Sequence, residues 1–230
     1  ITEMARCAGA LTFIDAVHYA PHGLIDVEEI GCDFLACSAY KFFGPHVGVL
    51  WGRRSLLESL TPYKLRPAPN SIPGRWMNGT QNHEGIAGTL AAVDYLAEVG
   101  RAGQPGTTSR RAQLQAAFAA IVPYEQSLVQ PLLDYLAARP EFRVWGITDA
   151  GRSNERVPTV SMTHARLTPQ ELAEHFRARG IWTWAGNHYA QPFTEAAGLE
   201  PHGTLRVGCL HYNTPEEVSR VIAALDEIAG

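Results

Sequence analysis

Short apolar segments set apart by longer connections constrain this fold more than any other feature of the sequence. Leu11-Thr12-Phe13-Ile14, Asp33-Phe34-Leu35-Ala36-Cys37 and Gly48-Val49-Leu50-Trp51-Gly52 each have the length and β-rich character of a buried strand. Spaced in this way, they predict a mainly parallel sheet covered by helices. Ile25 to Ile30 is too polar for a core strand and reads as a short helix with Asp26 near its start. The chain is 46% hydrophobic and 18% charged over 230 residues. That is enough to bury roughly 70% of the unfolded surface without a metal or disulfide staple.

The rest of the chain changes character twice. Residues 61–78 carry Pro62, Pro67, Pro69, Pro73 and Gly74 and read as a long irregular loop of the kind that carries function. From Glu84 the apolar positions Ile86, Leu90, Val93 and Leu96 fall on one helical face that stops at Gly100. A second helical run spans Ser109 to Ala138, with interruptions expected at Pro123 and Pro131. After Pro140, the runs 142–146, 159–162, 181–184 and 205–207 read as strands. Thr168-Pro169-Gln170-Glu171 and Thr214-Pro215-Glu216-Glu217 each open a helix, threonine capping and proline first. The expected organisation is a large domain over residues 1–138 and a small α+β domain over 139–230.

Charge narrows the partners. The net charge is −4, which argues against nucleic acid and anionic membrane. No stretch approaches the ~20 apolar residues of a membrane span. Cys7, Cys32, Cys37 and Cys209 form no Cys-x-x-Cys pair and show no zinc-finger spacing. They read as reduced thiols of a cytoplasmic protein. The sequence opens at Ile1 and runs almost at once into a strand, so we expect it to be the later part of a longer protein.

The densest polar constellation lies between Asp15 and Pro45. Asp15 ends a strand, where open α/β sheets place their ligands. Lys41 follows the next strand, flanked by Tyr40, Phe42 and Phe43. In such apolar company an amine becomes a better nucleophile. Taken singly, Lys41 reads as a snorkelling surface lysine and Asp15 as a turn residue. Taken together, they suit pyridoxal 5′-phosphate. The lysine would hold the aldehyde, and the carboxylate would keep the ring nitrogen protonated. Ser38 and Tyr40 add hydroxyls beside the lysine for the phosphate.

At these residues the sequence resembles the class V aminotransferase group of fold type I pyridoxal-phosphate enzymes, and within it the cysteine desulfurase-like proteins. Phe13-Ile14-Asp15-Ala16-Val17-His18 looks like the strand ending in the ring-nitrogen aspartate, with His18 where many members carry a glutamine to the ring hydroxyl. Ser38-Ala39-Tyr40-Lys41 looks like the family's Ser-x-His-Lys, which makes Lys41 the Schiff-base lysine. Arg75-Trp76-Met77-Asn78-Gly79-Thr80 resembles the segment whose Gly-Thr reaches the neighbouring subunit's cofactor phosphate, implying a homodimer with shared sites. Ala185 to Pro192, with His188 and Tyr189, looks like the substrate loop. Leu205-Arg206-Val207 looks like the strand whose arginine forks onto the substrate α-carboxylate.

The resemblance implies part of a large, mainly parallel α/β domain, a small C-terminal α+β domain and an α-amino acid substrate. Two departures shape the expectation. Tyr189 stands where desulfurases carry the cysteine that attacks sulfur, and a phenol cannot form a persulfide. Transamination, racemisation or β-elimination then remain. The Gly-rich part of the phosphate cup and a ring-stacking residue, which the family carries ahead of the aspartate, are also missing from this sequence. Two other readings stay open. One is a catalytically inactive dimerisation or regulatory paralogue. The other is a zinc hydrolase using Asp15, His18 and His22, which Pro21 and Gly23 disfavour because they break a regular helix. His22, His46 and His83 are also candidate pocket residues, each more often structural. Cys209 is expected to be a core thiol.

Overall fold

In the computed structural model, which describes residues 1–228, the first apolar run forms β1 (Phe13–Asp15), preceded by helix α1 (Thr2–Cys7). The chain then turns through α2 (Val27–Ile30), capped by the Asp26 side chain on the amides of Glu28 and Glu29, and enters β2 (Phe34–Ser38). β1 and β2 pair in parallel, with Asp15 opposite Ala36. β3 (Gly48–Gly52) returns antiparallel on the other side of β2. The sheet is therefore mixed. Its outer strands also leave Phe13, Val49 and Leu50 exposed, where the sequence predicted buried strands.

One side-chain clasp fixes the register at the start of this sheet. Asp33 Oδ2 accepts the Thr12 amide at 2.9 Å and the Thr12 hydroxyl at 3.1 Å. Its Oδ1 lies 3.3 Å from Arg53 Nε, beyond the end of β3. The Thr12 amide and the Arg53 cation hold the Asp33 carboxyl below its usual range. All three strands are tied at one point.

Helices α3 (Arg54–Ser59), α4 (His83–Gly103) and α5 (Arg110–Ala137) follow. Pro123 and Pro131 lie inside α5 without ending it. Both are on its exposed face, while Leu128, Val129, Leu132, Leu133 and Leu136 are buried. That apolar stripe offsets the ~3 kcal/mol an internal proline costs. Two compact units emerge, one from Ile1 to Ala120 and one from Ile121 onward. The division falls inside α5.

The second unit is built on a four-stranded sheet of β4 (Phe142–Val144), β5 (Thr159–His164), β6 (Trp184–Gly186) and β7 (Thr204–Gly208). Its order is β4-β5-β7-β6, and every pair is antiparallel. Helices α6 (Pro169–Arg177) and α8 (Pro215–Asp226) open at the threonine caps the sequence predicted, Thr168 and Thr214, and Glu171 and Glu217 complete both as capping boxes. A short helix, α7 (Gln191–Ala196), follows β6. Val160 and Met162 of β5 and Leu205 and Val207 of β7 pack with Leu172, Phe176, Val221 and Leu225 of the helices. The alternate residues of β5 and β7 therefore point to the opposite face of the sheet.

Two tests follow. A Cβ on Gly100 of α4 would lie 1.8 Å from the Gln113 carbonyl oxygen and 2.7 Å from the Ala117 amide of α5. Gly100→Ala should separate the two helices and cost at least the 1–3 kcal/mol typical of overpacking, read by urea denaturation. His164 is buried, and its Nδ1 accepts the amides of Arg166 at 3.2 Å and Leu167 at 3.0 Å. Burial, then the Arg166 cation, push its pKa below the usual 6.5 against an opposing pull from Glu141. The unfolded chain therefore takes up the proton first, so His164 lends stability above pH 6.5 that is lost as pH falls below it. Thermal melts from pH 8 to 5 should show this loss, and His164→Asn, which retains an acceptor, should lose less.

Candidate active site

The parallel register of β1 and β2 sets the geometry of the first unit. Asp15 ends β1 opposite Ala36, and Ser38 ends β2 two residues further on. Both side chains stand at the same carboxyl edge of the sheet. The Asp15 carboxylate is exposed, and its Oδ1 accepts the Val17 amide at 2.9 Å. Beyond Ser38 the chain tightens into a 3-10 turn, Ala39–Phe42. Ala39 and Phe42 are buried and pin the turn, while Lys41 between them is half-buried. Phe43, at φ 71°, ends the turn in the left-handed region.

Lys41 Nζ lies 5.0 Å from the centre of the Tyr40 ring, within cation–π range. The other partner of that ring is His46, stacked at 4.9 Å with planes 15° apart. The sequence reading assigned Tyr40 by its hydroxyl alone. The structure shows that its face also carries the lysine. The stack with His46 was not foreseen, because nothing in a loop sequence specifies ring overlap. His18 is exposed, with its ring edge-on to His22 at 5.4 Å. Among the described residues no group of three or more His, Cys, Asp or Glu is arranged to hold a metal ion, so the zinc reading finds no centre. Thr80 is exposed after Gly79 (φ 74°), ahead of α4, whose first turn is capped by Asn82. An apolar groove of about 580 Å³, lined by Val47, Leu50, Trp76, Met77 and Ile86 among others, contains none of the candidate residues.

In the second unit Arg206 lies on β7 between two direct cross-strand neighbours, Ser161 on β5 and Trp184 on β6. Its own neighbours, Leu205 and Val207, are buried against the helices, so Arg206 points to the open face of the sheet. Its guanidinium is half-buried, and burial lowers its pKa. Among the described residues no carboxylate lies within ion-pair range of it.

The substrate loop predicted from sequence is held tightly. His188 Nε2 donates to the Thr204 carbonyl at 3.1 Å, and its buried Nδ1 has no hydrogen-bond partner. Burial, then the nearby Arg206 cation, push the imidazole pKa down, favouring the neutral ring. Asn187 accepts the Tyr189 amide at 3.2 Å and donates to Glu200, which also takes the Thr194 hydroxyl. A Cβ on Gly203 would lie 2.1 Å from the Gly186 carbonyl, so the two backbones touch. These ties hold His188 and Tyr189 in consecutive left-handed conformations, φ 53° and 62°. Each costs roughly 1–2 kcal/mol for a residue with a side chain, and such strain gathers at functional loops. Tyr189 is fully exposed at the tip.

Cys209 is not poised as a nucleophile. It is buried in the helix-facing core, and burial with help from Glu125 and Glu217 pushes its thiol up to about 11. At that value almost no thiolate forms near neutrality. Iodoacetamide at pH 8 should modify exposed Cys7 and leave Cys209 intact until the chain is unfolded, as mapped by peptide mass spectrometry. Rapid labelling of Cys209 in the folded chain would contradict this assignment.

The comparisons agree with the geometry. The family model described as aminotransferase class V matches residues 1–221. An aminotransferase-like protein of Gibberella zeae is 34% identical over 96% of this chain and 52% of its own. A probable cysteine desulfurase of Halalkalibacterium halodurans is 29% identical over 99% of this chain and 53% of its own. The chain thus spans about half the length of the curated relatives it matches. The structure of a cysteine desulfurase from Escherichia coli superposes with a TM-score of 0.78 at 27% identity, over 98% of this chain and 53% of that one. The structure of one from Thermococcus onnurineus gives 0.82 at 24% identity, over 99% and 55%, and shows the shared fold. The mixed sheet of the first unit and the α+β second unit are thus parts of the fold type I architecture of pyridoxal-phosphate enzymes. The chain belongs to the class V aminotransferase family, whose members work with pyridoxal 5′-phosphate.

Proposed function

We propose that this chain carries the lysine, the ring-partner carboxylate and the substrate-binding arginine of a pyridoxal-phosphate enzyme acting at the α-carbon of an amino acid. The observation that carries this reading is the parallel pairing that brings Asp15, Ser38 and the Lys41 turn to one sheet edge. The donor set fits the cofactor by its chemistry: an amine for the aldehyde, a carboxylate for the ring nitrogen, hydroxyls of Ser38 and Tyr40 for the phosphate, and the His18 imidazole for the ring hydroxyl. When bound, the cofactor supplies an electron sink for charge developing at the α-carbon. Asp15 would pair with the ring nitrogen and favour its protonated form. Lys41 Nζ is the base that takes the proton from the substrate α-carbon. Arg206 binds the α-carboxylate through its two-pronged guanidinium, and His188 and Tyr189 border that carboxylate.

Tyr189 in place of a cysteine favours transamination, racemisation or β-elimination over persulfide formation. Thr80 is assigned to the cofactor phosphate of a second copy, which makes the working form a homodimer with shared sites. We place the protein in the cytoplasm, its reduced thiols carrying that assignment.

Only two lysines occur in the chain, Lys41 and Lys64. Incubation of the full chain with pyridoxal phosphate followed by borohydride should attach the cofactor to Lys41, seen in the mass of its peptide. Lys41→Ala should abolish that adduct. Modification confined to Lys64, whose Nζ already donates to the Ala68 carbonyl, would refute the assignment.

A further inference from the structure

We propose that Trp184 is a specificity-determining residue that selects amino acids with a flat apolar side chain for the Arg206 site. The inference rests on the carboxylate role of Arg206 given above and adds the nature of the group beside it. Three strands place Ser161, Arg206 and Trp184 directly opposite one another in a row. Val160, Leu205 and Val207 face the helices, so Ser161 and Arg206 share the open face. Trp184 shares it too, because its neighbour Ala185 packs on the helix side.

The chemistry of the row is uneven. On one flank Arg206 has a small hydroxyl. On the other it has an indole that is 68% exposed, and Trp182, two residues earlier, is 81% exposed. Exposing two large rings costs free energy that a ligand covering them would recover. Direct cross-strand partners have Cβ atoms ~4.5–5.5 Å apart. That span suits an amino acid whose carboxylate meets the guanidinium while its ring lies against the indole.

The test uses the full chain labelled with ¹⁵N and follows the indole N–H resonance of Trp184, assigned by its disappearance in Trp184→Phe. Titration with L-phenylalanine should shift it and give tighter binding than L-alanine. Trp184→Ala should weaken L-phenylalanine roughly two- to tenfold, the range of an aromatic pair, while leaving L-alanine unchanged. Trp184→Phe should restore the preference. Arg206→Gln should weaken both amino acids alike, in a variant whose spectrum confirms the fold. An unchanged preference in Trp184→Ala, with Arg206→Gln still impairing both, would overturn this inference alone. Binding indifferent to Arg206→Gln would overturn the carboxylate reading beneath it, and no binding of either amino acid would overturn both.

Discussion

The candidate chemistry of the first unit hangs on three residue pairs in parallel register: Phe13 with Phe34, Ile14 with Leu35, and Asp15 with Ala36. Side chains alternate along a strand, so a slip of one residue would send Asp15 to the opposite face and away from the edge that carries Ser38. The pairing is short, and short parallel pairs resist slipping weakly. The Asp33 clasp on Thr12 and Arg53 supplies what the ladder lacks, by tying the beginnings of β1 and β2 to the chain just beyond β3. A carboxylate at one end of the sheet thereby positions a carboxylate at the other.

The second unit solves a different problem with the same alternation. Its sheet gives one face to the helices and keeps the other for polar and aromatic groups. Arg206 sits on a strand between two buried neighbours, Leu205 and Val207. The guanidinium is therefore carried by a rigid element, which is what a two-pronged contact requires. The adjoining loop adds strain to rigidity. Two consecutive left-handed residues persist because Asn187, Glu200 and Thr204 hold the backbone around them. Tyr189 stands exposed at the tip of this loop.

Local signals were legible in the sequence and non-local ones were not. The caps at Thr168 and Thr214 appear where expected, because a capping box is written in four adjacent residues. Helices α1 and α3 lack side-chain caps and buried residues, so no apolar period announces them. The glycine-bounded run 48–52 reads as a strand, but its direction depends on the partner it finds. Pro123 and Pro131 look like breaks because burial on the opposite helix face is invisible to a propensity argument. Within the site, Asp15 and Lys41 could be found from strand ends and apolar company. Their roles became specific only through the family resemblance. The row of Ser161, Arg206 and Trp184 joins three distant segments, and no spacing rule would have assembled it.

The central claim is that Asp15 and Lys41 serve one cofactor ring. The most direct measurement is the ¹⁵N resonance of the pyridine nitrogen in chain loaded with isotopically labelled pyridoxal phosphate, compared with Asp15→Ala. A carboxylate paired with the ring holds that nitrogen protonated, so the native chain should show the protonated shift and the variant the unprotonated one, with Lys41 modified in both. The same shift in both proteins would mean that the carboxylate at the end of β1 and the amine beyond β2 do not share a ligand.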